Sequence, residues 1–243
     1  MSDAAIALSF VMPAYNEEGA LPGTVAACTD AIAALGMRCE IVIANDGSTD
    51  GTRRVLDDLA GRTPALRVVH REKNGGYGAA LSDAIDAARG ELLVPLDSDG
   101  QFDPHDAAKL LGKRAEGYDV VLGYRARKAD KATKVFLDRV LRVIVRVLFG
   151  VGFTDTNCAI RLVPRSALAQ ITLEARGFAN PTEMVLKLHA RGLKIGEVAV
   201  THRERAAGAS ALRSMRTSVH MLAFLVYLRL KLALFRRGII QAP

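Results

Sequence analysis

The sequence predicts an α/β protein, a mostly parallel, Rossmann-like sheet with helices on both faces, and three observations carry that prediction. Short apolar runs alternate with helix-period segments through the first half of the chain, the pattern of repeated strand and helix units. Most of the runs lead into Gly, Asn, Asp or Pro, residues that turn a chain out of a strand. Hydrophobic residues make up 50% of the 243, enough to bury a sizeable core.

Residues 6–12, IALSFVM, read as the first strand, closed by Pro13 and followed by a helix over 14–35. Residues 39–44, CEIVIA, form a second strand, and the turn 45–52, NDGSTDGT, feeds a helix ending near Gly61. A third strand covers 66–70; the glycine-rich 73–78 follows, then a helix to about Arg89. The apolar 91–96, ELLVPL, is a buried strand, 104–116 a helix and 119–123 another strand. Ligands of parallel sheets bind beyond the carboxyl ends of the strands. Segments 13–17, 45–49, 73–78, 97–101 and 124–125 are therefore expected on one rim.

The stretch 94–104, VPLDSDGQFDP, is the most informative on that rim. Asp97 and Asp99 stand one residue apart, and strand geometry would turn them to the same side. Paired carboxylates repel unless a cation joins them. Gln101 adds a neutral oxygen, and an all-oxygen set suits Mg²⁺ or Mn²⁺ better than zinc. The same string also fits a solvated strand-to-helix turn in which Asp103 caps the helix at Pro104.

A net charge of +7 and a pI near 9.5 call for an anionic partner: nucleic acid, a membrane surface or a phosphorylated substrate. The basic residues lie beside apolar stripes, and aromatics for base stacking are few, so nucleic acid is disfavoured. Cys28, Cys39 and Cys158 form no CxxC pair and read as small buried hydrophobes in a reducing cytoplasm. The opening residues lack the basic start and long apolar core of a signal peptide, which predicts a cytoplasmic location.

The ordered series PAYNE (13–17), NDGSTDGT (45–52), NGGYGAA (74–80) and DSDGQ (97–101) resembles family 2 glycosyltransferases of the GT-A fold. Within them it most resembles the dolichyl-phosphate mannosyltransferase and polyprenyl-phosphate glycosyltransferase branch, over roughly 6–212. The resemblance implies a nucleotide-sugar donor, with Pro13, Tyr15, Glu17 and Asp46 at the base and Lys73 and Gly76 beside the nucleotide. It puts Asp97, Asp99 and Gln101 at a metal and diphosphate site. Residues 155–161, DTNCAIR, and 205–210, RAAGAS, resemble the branch's acceptor segments. Arg125, Arg161, Arg205 and Ser210 then carry over as contacts to the acceptor phosphate or diphosphate, with Arg213 replacing a cation absent at Ala211. Asn45 and the pair Phe102, Asp103 depart from the branch's pattern.

Residues 131–152 have a helical period with Phe136, Leu137, Val140, Val143, Ile144, Val147 and Leu148 on one side. Lys131, Lys134, Arg139, Arg142 and Arg146 lie opposite, which suits a helix lying in an anionic membrane interface or packed on a core. In the last segment, 213–243, residues 221–228 are continuously apolar, and Arg229 and Lys231 then interrupt before 232–235. Each cation would cost roughly 2.5–3.5 kcal/mol in mid-bilayer. An interfacial helix with Arg229, Lys231, Arg236 and Arg237 at phosphate head groups fits better, a dimer helix being the alternative.

The expected organisation is a catalytic domain over 1–212 with the amphipathic helix inserted at 131–152, followed by a C-terminal membrane-associated helix. The expected reaction is inverting transfer of a hexose to a polyprenyl or dolichyl phosphate at the cytoplasmic membrane face. A hydroxyl acceptor would instead require a carboxylate base, and Glu183 is the candidate for it unless the helix dipole accounts for that residue. A non-catalytic sugar-nucleotide-binding adaptor is the third reading.

Overall fold

The computed structural model describes residues 5–126, 132–177, 179–204 and 215–241. Its strands are β1 (Leu8–Ala14), β2 (Cys39–Asn45), β3 (Leu66–His70), β4 (Leu92–Pro95), β5 (Val120–Arg125), β6 (Arg161–Pro164) and β7 (Ile195–Val200). Its helices are α1 (Leu21–Leu35), α2 (Thr52–Arg62), α3 (Tyr77–Ala87), α4 (Ala107–Ala115), α5 (Ala132–Phe149), α6 (Arg165–Leu168), α7 (Asn180–Ala190) and α8 (Met215–Arg236). The strands form one sheet in the order β3-β2-β1-β4-β6-β5-β7. Only β6 runs antiparallel to its neighbours, so β1 to β5 all deliver their carboxyl ends to one edge.

The mostly parallel sheet matches the sequence expectation, whereas β6 and β7 had not been anticipated. The first helix begins later than expected, at Leu21, and β1 continues through Pro13 to Ala14. Pro13 is tolerated there because the ladder with β4 stops at Val11, so no partner awaits its missing N–H. Its carbonyl accepts the Ser98 hydroxyl instead, at 2.9 Å. Residues 15–20 form a loop in which Asn16 has φ 55°, and Pro22 in the first turn of α1 supplies the start signal.

Two apolar clusters cover the two faces of the sheet. Phe10, Met12, Ile41 and Ile43 meet α1, α2 and α4; Val11, Val42 and Leu93 meet α3, α6 and α7. A third cluster joins α5, α7 and α8 through Leu141, Val145, Leu186, Leu225, Leu228 and Leu232. The expected wheel for α5 is therefore split. Its buried line is Leu141 and Val145, while Val140, Val143 and Val147 face outward, Val147 at 77% exposure. Arg139, Arg142 and Arg146 are exposed on the same helix. Lys131 and the side chains of Lys134, Phe136 and Leu137 lie outside the described residues.

On α8 the four-residue series Leu222, Val226, Leu230 and Leu234 is exposed, Leu230 at 63%, while Leu225, Leu228 and Leu232 are buried. Arg229, Arg236 and Arg237 are exposed. Lys231 corrects one expectation: its Nζ bonds Glu174 at 2.5 Å, not a head group. No helix among the described residues is long and apolar enough to cross a membrane. Cys28 and Cys158 are buried as expected, and all three thiols are free; burial pushes the Cys158 thiol up to about 12.

Candidate active site

Asp97 and Asp99 follow β4 in a turn, not on the strand itself. Gly100 at φ 75° turns the chain out again. Between the two acids Ser98 points inward to Pro13, and its carbonyl accepts the Thr24 hydroxyl at 3.0 Å. The two carboxylates are near enough for the Asp99 charge to act on Asp97. Asp99 is 8% exposed and accepts the Gln101 N–H at 3.1 Å; Asp97 is half-buried and accepts the Tyr77 hydroxyl at 3.1 Å.

Loss of hydration first, then the Asp99 charge, pushes Asp97 up to about 7, against the pull of Tyr77, Arg125 and Arg161. A carboxyl raised in the folded state stabilises below its ordinary range, and that contribution is lost as pH climbs through about 7. Asp97→Asn is therefore expected to melt above the parent at pH 8 and level with it at pH 4, both in chelator. A pH-independent gap would contradict the assignment.

The pair fits a divalent cation: two crowded carboxylates carry a charge that the site itself disfavours. No group of three or more His, Cys, Asp and Glu side chains lies together among the described residues. Such a site suits a hard cation that draws its other ligands from water and phosphate. Gln101 stands beside it, with its amide donating to the Arg203 carbonyl at 3.2 Å. The Arg203 N–H returns to the Gln101 carbonyl at 2.8 Å, and Phe102 bridges His202. Asp103 caps His105, as the alternative reading of this turn required, and also pairs with Arg203. Residue 204 thus leaves from beside the paired acids, while Arg205, Ser210 and Arg213 lie outside the described residues.

The remaining rim loops converge as expected. The Asp46 N–H bonds the Ala14 carbonyl, and its buried carboxylate accepts the N–H groups of Gly75 and Gly76, each at 2.8 Å. Arg71 forms an ion pair with it, its Nε at 3.1 Å. Asp46 therefore holds the glycine loop; its oxygens are occupied by protein donors. Tyr15 is 45% exposed and Lys73 is exposed, while Pro13 is buried. The Glu17 N–H is fixed by the Thr52 hydroxyl at 2.8 Å. At Asn45, the side chain joins His70 and Ser48, which accounts for the departure at that position.

Close backbone approach explains two glycines. A Cβ on Gly78 would stand 2.0 Å from the Ala175 carbonyl oxygen, and one on Gly76 2.6 Å from that of Arg176. This strap, 174–176, is held from behind. Glu183, fully buried, accepts the N–H groups of Glu174 and Ala175 and pairs with Lys187 at 2.7 Å. Glu174 in turn accepts Lys187, Lys231 and the Tyr227 hydroxyl, which hold its carboxyl down at about 2 despite partial burial. Glu183 thereby fixes the strap from a fully buried position.

Two arginines expected to touch phosphate are buried and engaged elsewhere. Arg125 binds Asp155 through Nε at 2.7 Å and Asp138 through Nη2 at 3.2 Å, tying the end of β5 to α5 and the 150–160 loop. Arg161, 2% exposed, donates to the carbonyls of Cys158, Ala159 and Pro181. Both place a positive charge close enough to act on Asp97. Tyr77, Asp138 and Asp155 had not been assigned roles; their partners lie 20, 13 and 30 residues away, beyond any local signal.

A covered parallel sheet with paired acids at its carboxyl edge is the GT-A arrangement, the class of a sugar-nucleotide-dependent transferase. The chain belongs to glycosyl transferase family 2, whose profile matches residues 9–171. It is 33% identical over 220 residues to an undecaprenyl-phosphate 4-deoxy-4-formamido-L-arabinose transferase of Pseudomonas aeruginosa, covering 86% of this chain and 61% of that protein. A dodecaprenyl-phosphate galacturonate synthase of Rhizobium johnstonii is 29% identical, covering 92% and 68%. The chain thus spans about three fifths of the length of the first of these relatives. Among solved structures, Mycobacterium tuberculosis glucosyl-3-phosphoglycerate synthase with uridine diphosphate superposes with TM-score 0.71 at 23% identity, covering 92% of this chain and 80% of that one. The same enzyme with Mn²⁺, uridine diphosphate and glucosyl-3-phosphoglycerate gives 0.70 at 22%, covering 93% and 80%.

Proposed function

We propose that this chain transfers a sugar, with inversion, from a nucleotide donor to a polyprenyl phosphate at the cytoplasmic face of a membrane. The observation that carries this reading is the pair Asp97 and Asp99, set at the edge where the loops after β1, β2 and β3 meet. The relatives that act on undecaprenyl and dodecaprenyl phosphate support the acceptor class. The outward stripes of α5 and α8, flanked by arginines, support a site facing an anionic lipid surface.

Asp97 and Asp99 would hold Mg²⁺ or Mn²⁺, with Gln101 beside them. When bound, the cation supplies charge neutralisation at the leaving diphosphate. Tyr15 offers its exposed ring to the base, with Pro13 and Glu17 shaping that side. Asp46 fixes the loop that brings Gly76 and Lys73 to the nucleotide. A phosphate monoester has its second pKa near 6, so the acceptor oxygen is already anionic at neutral pH and needs no strong base. Arg205 and Ser210, with Arg213, are assigned to hold the acceptor phosphate. Arg125 and Arg161 act by positioning the loops around Asp97.

A hydroxyl acceptor fits less well, because Glu183 is sealed by its own partners. Labelled GDP-mannose, UDP-glucose, UDP-N-acetylhexosamine and UDP-galacturonate, each with polyprenyl phosphate in phosphatidylglycerol vesicles, test the reading. One donor is expected to label the lipid, and Val226→Asp with Leu230→Asp to suppress both vesicle binding and lipid labelling. Label passing only to a soluble hydroxyl acceptor, or no transfer from any donor, would overturn it.

A further inference from the structure

We propose that Tyr77 is a positioning residue of the metal site, holding one oxygen of Asp97 so that the other is presented to the cation. The inference rests on the metal assignment above and adds a residue to it. The Tyr77 hydroxyl donates to Asp97 Oδ1 at 3.1 Å. Asp97 follows the end of β4, where no ladder fixes it, and among the described residues this phenol is its hydrogen-bond donor.

The donor itself arrives rigidly. Tyr77 opens α3, and the N–H groups on either side are spent: Gly76 on Asp46 Oδ2 at 2.8 Å, Gly78 on the Arg176 carbonyl at 2.9 Å. Its ring packs against the cluster that contains Val11, Leu81 and Leu93. Phenylalanine would fill that space equally well but would bring no donor. A carboxylate with one oxygen already bonded offers a single oxygen to a metal, which suits the octahedral demand of Mg²⁺ with water and phosphate completing the shell. Outer partners of this kind fix the ligand's orientation, and their removal typically costs about 10–100-fold in metal affinity or activity.

The test is Mn²⁺ binding to the full chain, followed by the electron paramagnetic resonance of free Mn²⁺, alone and with uridine or guanosine diphosphate. Tyr77→Phe is expected to weaken Mn²⁺ binding about tenfold without moving the melting temperature in chelator, and to change nothing further in an Asp97→Asn background. Affinity within about twofold of the parent overturns the proposal while leaving the metal assignment standing. A parent chain that binds no Mn²⁺ under any of these conditions removes both. Should Tyr77→Phe fail to fold, 3-fluorotyrosine at position 77 gives a fluorine resonance expected to shift on adding Mg²⁺ to the parent and not to Asp97→Asn; an unmoved resonance in the parent sinks the idea.

Discussion

Asp99→Asn is expected to lower sugar transfer by roughly a thousandfold while leaving the fold intact. The change removes a charge but keeps the shape, and its neighbour Gln101 retains an oxygen to bond. With one acid gone, the site loses most of its hold on a divalent cation, and the leaving diphosphate must depart uncompensated. A metal contribution of several kcal/mol at about 1.4 kcal/mol per tenfold gives that magnitude. The check pairs a radiolabel transfer assay with circular dichroism melts. Turnover near the parent level in the variant, or in the parent under exhaustive chelation, would refute the assignment of the acids.

The second large effect concerns stability. Arg125→Met should destabilise the chain by about 3–5 kcal/mol, the usual consequence of removing one partner from a buried ion pair. Asp138 and Asp155 are both nearly sealed from solvent, and each would lose this buried cation. Denaturant melts measure the loss. Removing one of the two acid charges with Asp138→Asn in the same chain is expected to recover part of it. A direct phosphate contact predicts the opposite pattern, a stable protein with a raised KM for the acceptor. Unchanged melting together with that kinetic change would return Arg125 to the list of ligand contacts.

Much of this architecture was legible in the residues. The strands at 39–45 and 66–70 and the helices after them were marked by apolar runs with clear turn punctuation, and the rim loops followed from strand polarity alone. The first helix was placed too early because Asn16, Glu17 and Glu18 look helical when read locally. Pro22 was the better signal. β6 leaves no local signal because four residues carry no periodicity, and one of them, Arg161, is of a type that binds phosphate as readily as it pairs inside a fold. Exposure was the harder quantity throughout. Whether an arginine reaches solvent depends on acids and carbonyls brought from distant segments, as at Arg125 and Arg161. The outward half of α5 was similarly hidden: its apolar arc is wide enough to serve two surfaces, and only the placement of α8 shows which half is covered.

The strap at 174–176 links α8 to the glycine loop that precedes α3. Lys231 and Tyr227 on α8 grip Glu174, and one and two residues later that backbone lies against the glycines on either side of Tyr77. Under the proposed function, a displacement of α8 would be transmitted through this strap to the loop beside the nucleotide, and thermodynamic reciprocity would make the coupling run both ways. On that reading, whatever factor bilayer attachment added to donor affinity, a loaded donor would return to the grip on the bilayer.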